Sequence, residues 1–202
     1  MMSSARHVPL YLLLLLLAGC AGMAQREPTS AGWKAHSQRL ASLQQWTASG
    51  KLAVRTADAS DSASLEWKQQ DRDTYLRLSG PLGVGATTIY SDGRQLDIRQ
   101  GDEHRTLDIS TPDAIALNTG WDLPLQALTH WLKGLPSPNY KVQKLELDPR
   151  TELLHTLQQD DWEVRYDGYG QFQGFTLPTR LHIQRGATQA KLVILDWRTP
   201  SS

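Results

Sequence analysis

Cysteine is almost missing from this 202-residue chain, where Cys20 is the only one. No disulfide can form within the chain, and structural zinc sites built on several thiolates are excluded with it. Neither sign of charge is in excess, 21 Lys and Arg standing against 21 Asp and Glu. Composition alone therefore draws the protein neither to nucleic acid nor to an anionic surface, and no nucleic-acid partner is expected. No apolar run reaches the roughly 20 residues that a membrane-spanning helix needs. Phenylalanine is scarce, two residues against seven Trp. Tryptophan suits surfaces with one wet and one apolar side, so this bias hints at a cavity or a membrane-facing role. Catalytic signatures are missing too: there is no Gly-x-Ser-x-Gly elbow and no His-Glu-x-x-His pair, which argues against serine hydrolases of that type and zincins. His36, His104, His130, His155 and His182 are scattered without metal-ligand spacing. The acid pairs Asp102-Glu103 and Asp160-Asp161 fall at turn positions, where solvated loops account for them. No metal, no other cofactor and no enzymatic activity are expected.

What is present begins with Leu10–Leu17, preceded by Arg6 and His7 and followed by Ala18-Gly19. A basic start, a short apolar middle and a small-residue site make a secretory signal. Leu17-Ala18-Gly19-Cys20 resembles the bacterial lipobox, which implies that residues 1–19 are a signal peptide and that Cys20 is acylated on its thiol and new amino terminus. Several acyl chains, at about 0.8 kcal/mol per buried methylene, make a durable anchor where one would be marginal. The usual inner-membrane retention signal in such lipoproteins is Asp after the cysteine; here it is Ala21. The resemblance therefore implies a lipid anchor in the outer membrane, on its periplasmic face. Taking nineteen residues from 202 leaves 183, enough for one domain with a real core.

Residues 20–31 read as a lipidated, flexible tether, and 32–202 as a single domain. From Gly32 to Thr47, Trp33, Leu40, Leu43 and Trp46 recur at helical spacing. After Gly50 the period becomes two: Leu52 and Val54 alternate with Lys51 and Arg55, Leu65 and Trp67 with Glu66 and Lys68, and Leu76 and Leu78 flank Arg77. Asp92-Gly93 separates strands Thr87–Tyr90 and Gln95–Gln100, and Gly101-Asp102 separates the latter from His104–Ser110. Two short helices follow. Thr111-Pro112-Asp113 starts one and Pro124 the other, in which Leu125, Leu128, Trp131 and Leu132 share a face before Lys133 and Gly134 close it. Period two resumes in Tyr140–Leu147, Glu152–Gln159, Trp162–Tyr166, Thr179–Arg185 and Lys191–Trp197. About eleven antiparallel strands in one meander must curl or close. The result is a mainly β, open (incomplete) barrel with short helices over its mouth. Its concave face either encloses an apolar cavity or is filled by its own side chains, as in many small barrels.

Gly83-Val84-Gly85 follows a strand but lacks a third Gly, and Thr87-Thr88-Ile89-Tyr90 continues as strand, so it is no dinucleotide loop. The same loop, Ser79–Gly85, carries Leu82 and Val84 among small residues. Apolar residues at a loop tip either tuck back onto the barrel or dip into something apolar.

Several separated segments resemble the outer-membrane lipoprotein receptor family LolB. Arg77-Leu78-Ser79-Gly80-Pro81-Leu82-Gly83 is similar to the family's strand-to-loop segment, and Leu128–Pro136 to its helix ending in Trp-x-x-Gly-Leu-Pro. Trp162-Glu163-Val164-Arg165-Tyr166 with Tyr169, then Leu177-Pro178, Leu181 and Lys191-Leu192 to Trp197, follow in the same order. The likeness runs over about residues 33–197. It implies an eleven-stranded open barrel with an apolar cavity, and a receptor that takes acylated lipoproteins from the periplasmic carrier LolA and inserts them into the outer-membrane lipid without nucleotide or metal. It also implies a membrane-insertion role for Leu82, shared with Val84. The inward alternates Leu52, Val54, Leu65, Trp67, Leu76, Leu78, Ile89, Leu96 and Ile98 are the expected acyl-chain cavity, with Leu128, Trp131 and Leu132 as a lid. A one-residue register error would turn every one of these outward. A monomer is expected. Two other readings stay open: a structural scaffold lipoprotein of an outer-membrane assembly complex, whose barrel would be filled, and a lipid-processing enzyme, for which no convergent Ser/His/Asp set is visible.

Overall fold

The alternation after Gly50 dictates half-buried strands, and the fold is built almost wholly from them. The computed structural model describes residues 31–80, 85–108 and 123–200. In chain order these form α1 (Ala31–Ala41), β1 (Gln45–Arg55), β2 (Ser60–Gln70), β3 (Asp73–Ser79), β4 (Thr87–Ser91), β5 (Gln95–Gln100), β6 (Glu103–Asp108), α2 (Leu125–Trp131), β7 (Val142–Leu147), β8 (Leu154–Gln159), β9 (Trp162–Phe172), β10 (Phe175–Arg185) and β11 (Thr188–Arg198). The expected signal segment, Cys20, Leu82, Val84 and the helix expected from Thr111 lie outside the described residues.

All eleven strands belong to one antiparallel sheet ordered β6-β5-β4-β3-β2-β1-β11-β10-β9-β8-β7. The first and last strands pair at its centre, so β6 and β7 are its edges. The sheet stays open between them, and the connection that contains α2 bridges the two edges.

The central seam needs Gly50. A Cβ there would collide with the Val193 carbonyl oxygen and lie 2.9 Å from Ile194 Cα. At this point the register slips, Ser49 opposing Asp196 while Gly50 opposes Ile194. The extra residue, Leu195, is a β-bulge. It lets Ile194 and Trp197 both face inward although they are three apart, and leaves Leu195 66% exposed.

The expected helix from Gly32 to Thr47 is too long. Helix α1 stops at Ala41, Leu43 sits in the turn, and Trp46 belongs to β1. Trp46 fits both periods, three after Leu43 and two before Ala48. Ladder pairing decides between them: Trp46 lies opposite Gln69, stacks on Trp67 at 6.0 Å between centroids and meets Trp197 edge-on at 5.2 Å. Strands β9 and β10 are longer than expected. The Gly and Pro residues that suggest a break are absorbed by irregular pairing between Pro178 and Leu181. Pro178 lies beyond the β10–β11 ladder, which starts at Arg180, so its missing N–H costs that ladder nothing.

Replacing Gly50 with Ala is expected to lower the unfolding free energy by about 1–3 kcal/mol, as overpacking does. The check is urea denaturation, where the midpoint should fall at unchanged slope; an unmoved midpoint would show that the seam tolerates a side chain.

Candidate functional site

The two halves of the concave face differ. Toward β8, β9 and β10, Trp131, Leu157, Trp162, Val164, Leu177 and Leu181 are packed to the exclusion of solvent. Toward β2–β5, Leu65, Trp67, Leu76, Leu78, Ile89, Leu96 and Ile98 surround a cavity of about 420 Å³. That volume falls in the range of roughly 300–1,000 Å³ typical of small-molecule sites. Leu52 and Leu192 from the seam, and Leu123, Leu125 and Leu128 from α2 and its lead-in, complete the apolar wall.

Ladder partners order the wall from mouth to floor. Asp61, Ser62, Gln100 and Glu103 line it beside the β1–β2 and β5–β6 turns. Deeper come Ala63 opposite Leu52, then Leu65 opposite Leu78. Below these, one row runs from Trp67 through Leu76 and Ile89 to Ile98. The next inward row is polar on β2, β3 and β4, with Gln69, Thr74 and Ser91 all buried, and ends on β5 at Leu96, which also lines the cavity. At the mouth, Gly80 and Gly85 both line the cavity, and they bracket the segment that carries Leu82 and Val84.

Helix α2 faces both halves, and its C-terminal end is firmly fixed. Its last turn closes in a Schellman arrangement, with the Leu135 N–H on the His130 carbonyl at 3.1 Å, the Gly134 N–H on Trp131 at 2.9 Å, and Gly134 at φ +79°. Buried Gln159 holds that end. Its Nε2 donates to the Ser137 and Tyr140 carbonyls at 2.7 and 2.8 Å, and its Oε1 accepts from Trp131 Nε1 and the Ser137 N–H, both at 2.8 Å. Tyr166 Oη donates to the Trp131 carbonyl at 3.0 Å. Lys133 is buried, and its Nζ donates to the Leu43 and Leu40 carbonyls at 3.0 and 3.4 Å, tying the C-terminal end of α1 to α2. At its other end α2 reaches the β4–β5 turn through a hydrogen bond from Gln126 Nε2 to the Gly93 carbonyl at 3.5 Å.

Of the inward alternates read from the sequence, all but Val54 line the cavity; Val54 is buried elsewhere in the core. Of the three lid residues, Leu128 faces the cavity, whereas Trp131 and Leu132 are fully buried core. Tryptophan serves the core more than any wet surface: every described Trp is buried, and Trp67 alone among them lines the cavity. Sequence reasoning missed the polar part of the lining. Glu103 and Arg105, ion-paired at 3.1 Å, face the cavity from β6. They share the alternation of Leu107, a signal passed over because only apolar residues were considered. Gln159 and Lys133 carry no local signal at all. Among the described residues, no three His, Cys, Asp or Glu side chains gather to hold a metal.

The open antiparallel sheet has counterparts among solved structures. The chain superimposes on a LolA superfamily protein from Nitrosomonas europaea with a TM-score of 0.54, at 9% identity, over 85% of this chain and 93% of that one. An outer-membrane lipoprotein-sorting protein domain from Vibrio parahaemolyticus gives 0.56 at 12% identity, over 85% and 91%. Sequence narrows the class. The profile of the family described as outer membrane lipoprotein LolB matches residues 44–197. The outer-membrane lipoprotein LolB of Stutzerimonas stutzeri is 36% identical over 92% of each chain, and that of Alkalilimnicola ehrlichii 38% over 92% of this chain and 93% of its own. The chain belongs to the LolB family of outer-membrane lipoproteins.

Burial pushes the Lys133 ammonium down to about 8, whereas an unfolded chain holds a lysine proton to about 10.4. Between those values unfolding takes up a proton, so stability contributed here rises with pH. The unfolding free energy of the parent, relative to Lys133→Met, is expected to climb across that window in denaturant titrations. A flat difference would show that the ammonium is solvated.

Proposed function

We propose that the protein receives acylated lipoproteins from the periplasmic carrier LolA, holds their acyl chains in the β2–β5 cavity, and passes them to the outer membrane. In this reading Cys20 carries the lipid anchor on the periplasmic face, and the handover involves no nucleotide and no covalent step. The observation that supports it is the unfilled half of the barrel: a cavity walled by Leu52, Leu65, Trp67, Leu76, Leu78, Ile89, Leu96 and Ile98, with a mouth bracketed by Gly80 and Gly85.

An acyl chain is stabilised by about 0.8 kcal/mol for each methylene kept from water, so release into the periplasm is unaffordable and transfer runs mouth to mouth. Direction requires only that the receptor cavity bind the chains better than the carrier does, and the bilayer better still. Leu82 and Val84, in the segment that Gly80 and Gly85 bracket, supply the apolar contact that brings the mouth to the membrane. The helix lying over the cavity, through Leu128 with Leu123 and Leu125, is the element that covers the chains.

The test mixes a Cys20→Ala form with carrier loaded with acylated lipoprotein, with and without liposomes, and follows which holds the cargo. The parent form should take the cargo and deliver it, and Leu82→Glu should take it but deliver it at least about tenfold more slowly, since a buried carboxylate costs far more than 1.4 kcal/mol. Normal delivery by Leu82→Glu would remove the loop's role. No transfer from folded protein would overturn the receptor and favour the scaffold.

A further inference from the structure

The cavity ends in a built floor. On β2 and β3 its deepest apolar residues are Trp67 and Leu76, and the Trp67 indole N–H donates to Gln69 Oε1 at 3.1 Å. Thr74 Oγ1 donates to the same oxygen at 2.8 Å, and Gln69 Nε2 donates onward to the Asp71 carbonyl at 3.1 Å. The indole is thus pinned by a satisfied, buried network, and its far side is backed by Trp46, stacked at 6.0 Å and 30°. Beyond this pair lies a second hollow of about 420 Å³, lined by Trp46, Gln69, His130 and Lys133 among others. Trp67 belongs to the first space and Trp46 to the second. The two rings are the partition between them.

From this geometry, and resting on the acyl-chain reading above, we infer that Trp67 is the residue that sets the length of acyl chain the cavity accepts. About 20 Å of strand separates Asp61 at the mouth from Trp67 at the floor. A chain descending that wall meets apolar side chains until its methyl end reaches the indole. On that wall the next inward residue is the polar Gln69, so further methylenes find no apolar side chain ahead. They would have to displace a hydrogen-bonded ring or enter a hollow lined by polar Gln69, His130 and the buried Lys133, where an apolar chain leaves polar groups unpaired. A flexible Leu or Met floor would yield to a longer chain; an indole fixed at both its N–H and its face does not.

The experiment titrates the Cys20→Ala chain with a homologous series of saturated fatty acids, from decanoate to stearate, by calorimetry below their micelle concentrations. For the parent, affinity should rise about fourfold per methylene and then stop rising at one length. Trp67→Ala removes the cavity's own side of that partition, deepening the cavity as far as Trp46, and should move that plateau to longer acids; a shift of two methylenes is about sixteenfold in the affinity of the longest probe. Trp67→Phe, which keeps an aromatic floor of smaller size, should give a smaller shift in the same direction, and it reads the effect alone if the Ala variant does not fold. The same plateau in parent and folded variants, or a parent affinity that climbs through the whole series, overturns the ruler while leaving the cavity an acyl site. No binding of any acid by the folded parent overturns the acyl-chain reading itself and the ruler with it.

Discussion

The pairing of β1 with β11 governs where everything else can be. Because the chain's first and last strands meet at the middle of the sheet, its two wings grow outward from one seam and their free edges belong to strands from the middle of the chain. The backbones approach so closely at Gly50 that no side chain fits. The bulge at Leu195 then restores the inward direction of Trp197. Trp197 Nε1 reaches the Pro178 carbonyl at 2.9 Å, and its ring meets Trp46, which stacks on Trp67. A chain of contacts thus runs from the seam into the solid half of the core and down to the floor of the hollow half.

That division into a solid and a hollow half explains how one small barrel can be both stable and empty. The wing from β8 to β10 is filled by large side chains and by the hub at Gln159, a buried amide with every donor and acceptor used. Satisfied networks of this kind fix a unique geometry, because leaving any member unpaired is costly. Among the described residues the other wing has no comparable plug, and α2 lies against it. The C-terminal end of the helix is tied to the solid half, while Leu125 and Leu128 face the cavity.

The strands were legible in the sequence because each has one wet and one dry face, and the hairpin glycines marked their ends. The cavity wall was legible for the same reason, the register being the one the alternation suggested. Three things were not. Trp46 satisfies a helical and a strand spacing at once, and only its ladder partner Gln69 separates them. Val54 continues the inward alternation of Leu52 yet lines no cavity, because period two reports which face a residue takes and not how far along the barrel the empty space extends. Lys133 and Gln159 look like ordinary polar surface residues, and their roles come from partners as many as 93 and 28 residues away. The abundant Trp suggested a wet apolar surface, but the six described ones are buried.

A barrel that must stay open cannot hide its two end strands, and such strands are templates on which another chain can add itself. Here both are chemically blunted. On β6, Glu103, His104 and Arg105 follow one another, and Arg105 turns its charge toward the concave side. On β7, Lys144 and Glu146 form a surface pair at 2.9 Å. A second copy aligning along either edge would have to bring these charges into register with its own and strip them of water. The ion pair at the rim thus guards against edge-to-edge aggregation, the hazard that comes with leaving the barrel unclosed.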